Sequence, residues 1–217
     1  MHTGAFISVI NYASVIERVL GKSKVYDIAM HFLGPHRTSE YIARQINASV
    51  DDRVLDIGCG TSTILRYLPP VYYLGIDSNP KYISQARDSF GMSGDFQCKS
   101  VDDFTIESTQ KFDRILLIGV LHHLTDQQIL SLMPKIKDLL SVGGQLITYD
   151  GVFLPKQNLI ARLFLKIDRG RHVRTEEAYL SLISTTLTVA SSHTKNDFLR
   201  IPYSVLFTIS SIDPKTE

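Results

Sequence analysis

Two aspartates and a pair of glycines set the chemistry to look for. Asp56-Ile57-Gly58-Cys59-Gly60-Thr61-Ser62 follows a short apolar run, and Asp77 closes a second one, 21 positions after Asp56. Glycines at the end of a strand permit a tight turn and let a ligand approach backbone that a Cβ would obstruct. The G-x-G core is shared with dinucleotide fingerprints, but position 63, where a third glycine would stand, is Thr. A carboxylate two positions before the first glycine repels a pyrophosphate and suits the ammonium group of a zwitterionic amino-acid tail. Asp77 is placed to accept hydrogen bonds from both hydroxyls of an adenosine ribose, although an Asp before Ser78-Asn79-Pro80 also makes turns.

Titratable side chains gather further along. His122 and His123 follow the apolar run Phe112 to Ile118. An imidazole titrates near neutrality and can take a proton from a hydroxyl or a ring nitrogen. Asp150 comes after another apolar run, where it could orient a histidine, bind substrate or cap a loop. Arg162, Lys166, Asp168, Arg169, Arg171, His172 and Arg174 then crowd cations into a short stretch. Guanidinium groups bind phosphate or carboxylate bidentately, which suits an anionic small molecule. The alternative is a solvated loop with Asp168 paired to an arginine. Tyr203 is either pocket wall or core.

The elements that must hold these residues alternate between short apolar runs and helical patterns, the mark of a mostly parallel α/β sheet. Strands are predicted at Val54–Ile57, Val71–Ile76, Asp95–Lys99, Phe112–Ile118 and Gln145–Tyr149, then at Leu187–Ser192 and Ser204–Ser210. The glycine loop opens a helix after the first strand. Further helices are predicted from Pro80 to Phe90, from Thr125-Asp126 to Leu140 with a kink or break at Pro134, from Gln157 to Ile167 and from Thr175 to Ile183. Gly143-Gly144 turns the chain into the fifth strand. Asn196 to Pro202 is too short for a helical crossover, so the last two strands pair antiparallel.

Ahead of the first strand, helical spacing appears at Ile7–Leu20, Val25–Leu33 and Ser39–Ile46. These helices either pack on one face of the sheet or cap the site, with Tyr26 close to the ligand. The expected fold is therefore α/β: a seven-stranded, mostly parallel sheet ending in an antiparallel hairpin, helices on both faces, and an N-terminal helical cap. It forms one domain, with residues 1–48 as cap, 50–150 as cofactor-binding core and 151–217 as substrate-side helices and last strands.

Composition narrows the classes. The chain has 217 residues, 44% of them hydrophobic and 21% charged, which is ordinary for one globular domain. A formal net charge of +1 is too balanced for a protein that coats nucleic acid. The two cysteines, Cys59 and Cys98, have no metal-ligand spacing, so no metal is expected and a reducing compartment fits. The first residues lack a cationic segment followed by a long apolar core, and no apolar run is long enough for a membrane span. The cytoplasm is the simplest address, and a homodimer is left open.

The stretch Val54-Leu55-Asp56-Ile57-Gly58-Cys59-Gly60-Thr61 resembles the first motif of class I S-adenosylmethionine-dependent methyltransferases. Phe112-Asp113-Arg114-Ile115 through Val120-Leu121-His122-His123-Leu124 is similar to the motif of that family's fourth strand, and Leu140-Ser141-Val142-Gly143-Gly144-Gln145-Leu146 to the one before its fifth. The resemblance spans roughly residues 50 to 150 and is nearest to small-molecule methyltransferases of ubiquinone and menaquinone biosynthesis. It implies S-adenosyl-L-methionine as cofactor and a parallel sheet ending in an antiparallel hairpin. It also implies that Asp56, Gly58, Cys59, Gly60 and Thr61 line the methionine end, that Asp77 and Ser78 hold the ribose, and that Gly119 and Val120 line the cofactor after the fourth strand. The family's acid after the third strand is missing, since Lys99-Ser100-Val101 stands there. Either Ser100, beside Val101, bonds the adenine amine, or Asp102 does.

Methyl transfer from a sulfonium is an in-line displacement that needs alignment first and a base only for some acceptors. His123, His122 and Asp150 are the candidate catalytic residues, and Arg162, Arg169, Arg171, His172, Arg174 and Tyr203 the candidate substrate contacts. The expected activity is methylation of an oxygen or nitrogen on a small molecule. The alternatives are an NAD(P)-dependent oxidoreductase, which calls for a third glycine and a parallel sixth strand, and a non-catalytic partner protein that binds S-adenosylmethionine.

Overall fold

Val54, Leu55 and Ile57 are too apolar to leave in water, and they form the fully buried centre of strand β1 (Arg53–Ile57). The structure, a computed structural model, describes residues 35–102, 110–167, 171–195 and 203–213. Around β1 the sheet adds β2 (Tyr72–Asp77), β3 (Asp95–Cys98), β4 (Phe112–Ile118), β5 (Leu140–Phe153), β7 (Thr188–Lys195) and β8 (Val205–Ser211) in the order β3-β2-β1-β4-β5-β8-β7. The first five strands are parallel, and β8 runs antiparallel to both β5 and β7. The expected hairpin is there. An eighth strand, β6 (Arg174–Thr175), pairs with the end of β5 and is too short to leave a periodic signal.

Alternate residues of β1 and β4 feed two cores, one on each face. Val54 and Leu116 pack with Ile42, Ala43 and Ile46 of α1 (Pro35–Ile46) and with Ile83 and Ala86 of α2 (Pro80–Phe90). On the other face, Leu55, Ile57, Ile115 and Leu117 meet Ile129, Leu132, Met133 and Ile136 of α3 (Asp126–Leu139) and Ile183 of α5 (Glu176–Ile183). Tyr41 of α1 reaches across the sheet to His193 of β7 at 2.8 Å, with the Lys195 ammonium 4.2 Å from the centre of its ring. Among the described residues no helix is long and apolar enough to cross a membrane.

The local sequence sets the helix boundaries. Asn79 caps α2 by accepting the Lys81 N–H, and Pro80 fills a first-turn position where no donor is missed. Thr125 and Gln128 form a reciprocal capping box at the start of α3. Asn158 accepts the Ile160 N–H, so α4 (Leu159–Ile167) starts two residues later than predicted.

Three expectations are corrected. The glycine loop opens only a 3₁₀ turn, Thr63–Tyr67, because Pro69-Pro70 forces Leu68 into extended backbone before an α-helix can grow. Pro134 does not break α3. The residue that loses its partner there, Leu130, lies on the exposed side, where water can serve the carbonyl. Gly143-Gly144 is not a turn before β5 but a bulge inside it. The ladder with β4 shifts between Phe112 and Arg114, Gly143 takes φ +74°, and a Cβ on Gly144 would meet the Phe112 carbonyl at 2.8 Å. The helices predicted at Ile7–Leu20 and Val25–Leu33 lie outside the described residues.

Candidate functional site

The carboxyl ends of β1 and β2 are stitched together before any side chain contributes. The amides of Gly58 and Cys59 both donate to the Ile76 carbonyl, at 2.7 and 3.0 Å, which turns the chain sharply at the strand end. Gly58 holds φ +76°, and a Cβ there would lie 2.6 Å from Val120 Cγ2, so this glycine answers both to backbone strain and to the neighbouring wall. Gly60 has φ +53° and open space around it.

Asp77 is locked into this bend. Its Oδ2 accepts the Gly60 N–H at 3.0 Å and its Oδ1 accepts the Asn79 N–H at 2.7 Å. The aspartate is thus both turn former and presented carboxylate, with lone pairs left on each oxygen. Asp56 lies deeper. Its Oδ2 accepts the Tyr73 hydroxyl at 2.6 Å, and its buried Oδ1 has no partner. Burial pushes the Asp56 carboxyl up to about 7, against the pull of the Tyr73 bond and with a further push from the Asp77 charge. Burial, then the Asp56 charge, drives the Cys59 thiol up to about 12, which makes it an inert packing group.

A cavity of about 380 Å³ opens over this edge of the sheet. Gly58, Gly60, Asp77 and Ser78 line one side, Ser100, Val101 and Asp102 a second, and Gly119, Val120 and His123 a third. The structure therefore brings together residues from four separate strand ends. Asp56, Cys59 and Thr61 are not on its lining. Tyr82, Lys99 and Leu124 are, and sequence reasoning missed them. Tyr82 had a usable signal: it stands in the first turn of the helix that follows the ribose acid. A larger groove of about 820 Å³ lies at the opposite edge, around Arg53, Tyr72, Asp95 and Phe112. It contains none of the glycine loop, and ligands of open α/β sheets bind at the carboxyl edge.

After β4 the chain makes a second tight turn. Gly119, at φ +71°, donates to the Tyr149 carbonyl at 2.6 Å, and Leu121–His123 follow as a 3₁₀ turn. This turn splits the histidine pair. His123 is exposed at the cavity, while His122 is buried with its ring 4.2 Å from that of His123. Asp150 Oδ1 sits 2.7 Å from His122 Nδ1 and also accepts the His122 backbone N–H at 3.1 Å. Of its three expected roles, Asp150 takes the first and orients a histidine. Burial raises its carboxyl above the ordinary range, and the His122 bonds pull it back down.

The cations divide. Arg162 and Arg171 are exposed, with the Arg162 guanidinium 5.5 Å from the centre of the Phe153 ring, and His172 is half-buried. Arg174 is corrected from substrate contact to internal clamp. Its Nε and Nη2 engage Asp126, Nη1 donates to the carbonyls of Leu121 and His172, and Nη2 also donates to that of Leu124. Every donor of the guanidinium fork is in use, leaving none for a ligand. The His172 amide adds a bond to the His122 carbonyl at 3.0 Å. Tyr203 is buried against Leu165 and Val205, on the core side of its two expectations. Tyr26 and Arg169 lie outside the described residues.

Residues 55–146 match a family model described as a methyltransferase domain. The chain is similar to a ubiquinone biosynthesis O-methyltransferase of Actinobacillus pleuropneumoniae serotype 5b (strain L20), 30% identical over 126 residues, or 54% of this chain and 53% of that one. It is also 30% identical over 115 residues to a probable tRNA methyltransferase 9B of Bos taurus, covering 52% of this chain and 24% of the relative. The chain thus spans about half the length, or less, of these curated relatives. Among solved structures, the N-methyltransferase NodS from Bradyrhizobium japonicum WM9 in complex with S-adenosyl-L-homocysteine superposes with a TM-score of 0.64 at 16% identity, over 91% of this chain and 96% of that one. A TehB-like SAM-dependent methyltransferase from Corynebacterium glutamicum ATCC 13032 Kitasato gives 0.61 at 18%, over 81% and 88%. At these identities the structures speak for the fold.

Proposed function

We propose that the methyltransferase domain of this chain, class I and S-adenosylmethionine-dependent, moves a methyl group onto an oxygen or nitrogen of a small-molecule acceptor. The observation that carries the reading is the fixed Asp77 carboxylate beside a bare glycine bend at the mouth of a cavity of about 380 Å³. The residues fit the cofactor. Asp77 offers its remaining lone pairs to the ribose hydroxyls, and Gly58 and Gly60 leave backbone uncovered for the amino-acid tail. Asp56, buried two positions before the glycine bend, sets a carboxylate behind that backbone whose charge attracts an ammonium group. When bound, S-adenosylmethionine supplies a methyl group on a sulfonium, activated for in-line displacement.

The chain's own task is alignment and proton removal. The acceptor's proton would pass to the His123 imidazole, which lines the cavity. His122, held by Asp150, fixes the turn that carries His123. Arg162 and Arg171 give the outer region a positive rim suited to an anionic acceptor. The relatives named ubiquinone biosynthesis O-methyltransferase favour a hydroxyl as the nucleophile, and the formal charge of +1 favours a small molecule over a polyanion.

Calorimetry tests the cofactor assignment. S-adenosylhomocysteine binds and NAD does not; the reverse pattern would reject the reading. Affinity also depends on pH, with a sign fixed by Asp56. Because its folded-state carboxyl titrates at about 7, the charge that attracts the ammonium is present above that pH and is lost below it. S-adenosylhomocysteine therefore binds about tenfold tighter at pH 8 than at pH 6, and Asp56→Asn flattens that dependence. A wild-type affinity that does not change across this range excludes the attraction between Asp56 and the ammonium group.

His123→Ala leaves S-adenosylhomocysteine affinity unchanged but slows methyl release to hydroxyl acceptors about tenfold, a modest loss for a base because water reaches this exposed position. The measurement is a methyl-release assay over a panel of hydroxyl, amine and carboxyl acceptors. Unchanged turnover with every acceptor used would remove His123 from the mechanism.

A further inference from the structure

The third strand ends without the acid that usually follows it, yet an acid reaches the same rim by another route. Asp102 lines the cavity, and its carboxylate is held from across the mouth. Gln128 of α3 donates its side-chain amide to both oxygens, at 3.2 and 3.1 Å. The same side chain is fixed at its other end, where Oε1 accepts the Thr125 N–H at 3.0 Å and the Thr125 hydroxyl at 3.1 Å. The amide cannot turn over without exchanging donor for acceptor on both sides, so its orientation is set by the capping box. Ser100 is occupied as well, its Oγ accepting the Asp102 N–H at 3.2 Å.

We infer that Gln128 is a positioning residue for cofactor recognition: it ties the Ser100–Asp102 segment to the start of α3 and presents the Asp102 carboxylate to the adenine amino group. The inference rests on the cofactor reading above and adds to it the residue that decides between Ser100 and Asp102. Each Asp102 oxygen spends one lone pair on Gln128 and keeps others for a ligand. The tether thus fixes the Ser100–Asp102 wall to Gln128 at the start of α3, four residues beyond the lining residue Leu124.

Substitution can separate the tether from the helix cap. Glutamate at position 128 still completes a capping box, since Glu and Gln serve equally there, but it sets a carboxylate against Asp102. Gln128→Glu therefore folds with an unchanged melting temperature in the absence of ligand and binds S-adenosylhomocysteine about tenfold more weakly. The wild type prefers S-adenosylhomocysteine over S-inosylhomocysteine, whose ring carries an oxygen where adenine has its amine, and Gln128→Glu narrows that preference to within about threefold. The double variant Gln128→Glu/Asp102→Asn restores a donor–acceptor pair between the two side chains and recovers the preference and part of the affinity, the charge on the acceptor being lost.

The experiment is calorimetry with the two ligands on the full chain. A Gln128→Glu protein that keeps wild-type affinity and preference overturns the inference and leaves the cofactor reading intact, whereas a wild type that binds neither ligand overturns both. If the single variant fails to fold, the double variant decides: it must keep the preference for S-adenosylhomocysteine over S-inosylhomocysteine.

Discussion

Replacing Asp77 by alanine weakens S-adenosylhomocysteine binding about a hundredfold. Two hydrogen bonds from ribose hydroxyls to a carboxylate are lost together, each worth about 1.5 kcal/mol or more because the acceptor is charged. Part of the loss is indirect. The amides of Gly60 and Asn79, which donate to the two carboxylate oxygens, lose their common anchor, and the glycine bend loosens. The free protein consequently melts about 4 °C lower, as expected for about 1 to 2 kcal/mol in a chain of this size. Asp77→Asn keeps an acceptor but drops the charge, and falls between the two. Calorimetry and thermal unfolding on the three proteins check this. An alanine variant that binds within threefold of wild type would mean that the carboxylate only makes a turn.

Arg174→Ala produces the largest stability loss, about 4 kcal/mol. The ion pair itself contributes little of this, because Asp126 is largely exposed and screened by water. The cost comes from the carbonyls of Leu121, Leu124 and His172, which lose their guanidinium donors at once, although Leu121 keeps the Leu124 N–H. Arg174→Lys recovers less than half, since one ammonium cannot reach four acceptors laid out for a planar fork. Urea unfolding of the three proteins measures this. A loss below about 1 kcal/mol for the alanine variant would show that the turn carrying His122 and His123 holds itself in place.

The contrast between these two residues shows where sequence reasoning reached and where it stopped. Asp77 was legible because its role follows from local facts: an acid at the end of an apolar run, a fixed distance beyond a glycine bend. Strands such as Phe112–Ile118 were legible for the same reason, since a largely buried strand has nowhere to hide its composition. Arg174 was not. Its type and its basic neighbourhood point outward, and only the fold reveals that two carbonyls from a segment some fifty positions earlier meet it. The tether from Gln128 to Asp102 escaped in the same way. The sequence displays a capping glutamine and a displaced acid, and nothing in their order says that the two meet.

Strand lengths failed for a physical reason too. Gly143-Gly144 reads as a turn because glycines usually punctuate, but a bulge also needs a residue that tolerates positive φ, and β5 runs straight through. The loop after β1 was predicted as a helix from the habit of such loops, whereas Pro69-Pro70 leaves room for little more than one 3₁₀ turn.

The seating of β8 between β5 and β7 has a consequence for how the molecule is made. Residues 205–211 are synthesised after the other described strands, yet they fill an interior place in the ladder. Until they emerge, the flank of β5 that β8 covers stands bare, and β7 lacks the strand it pairs with. Joining of β5 to β7 thus waits for β8, and the interval before that strand arrives is when an adhesive flank is exposed to neighbouring chains.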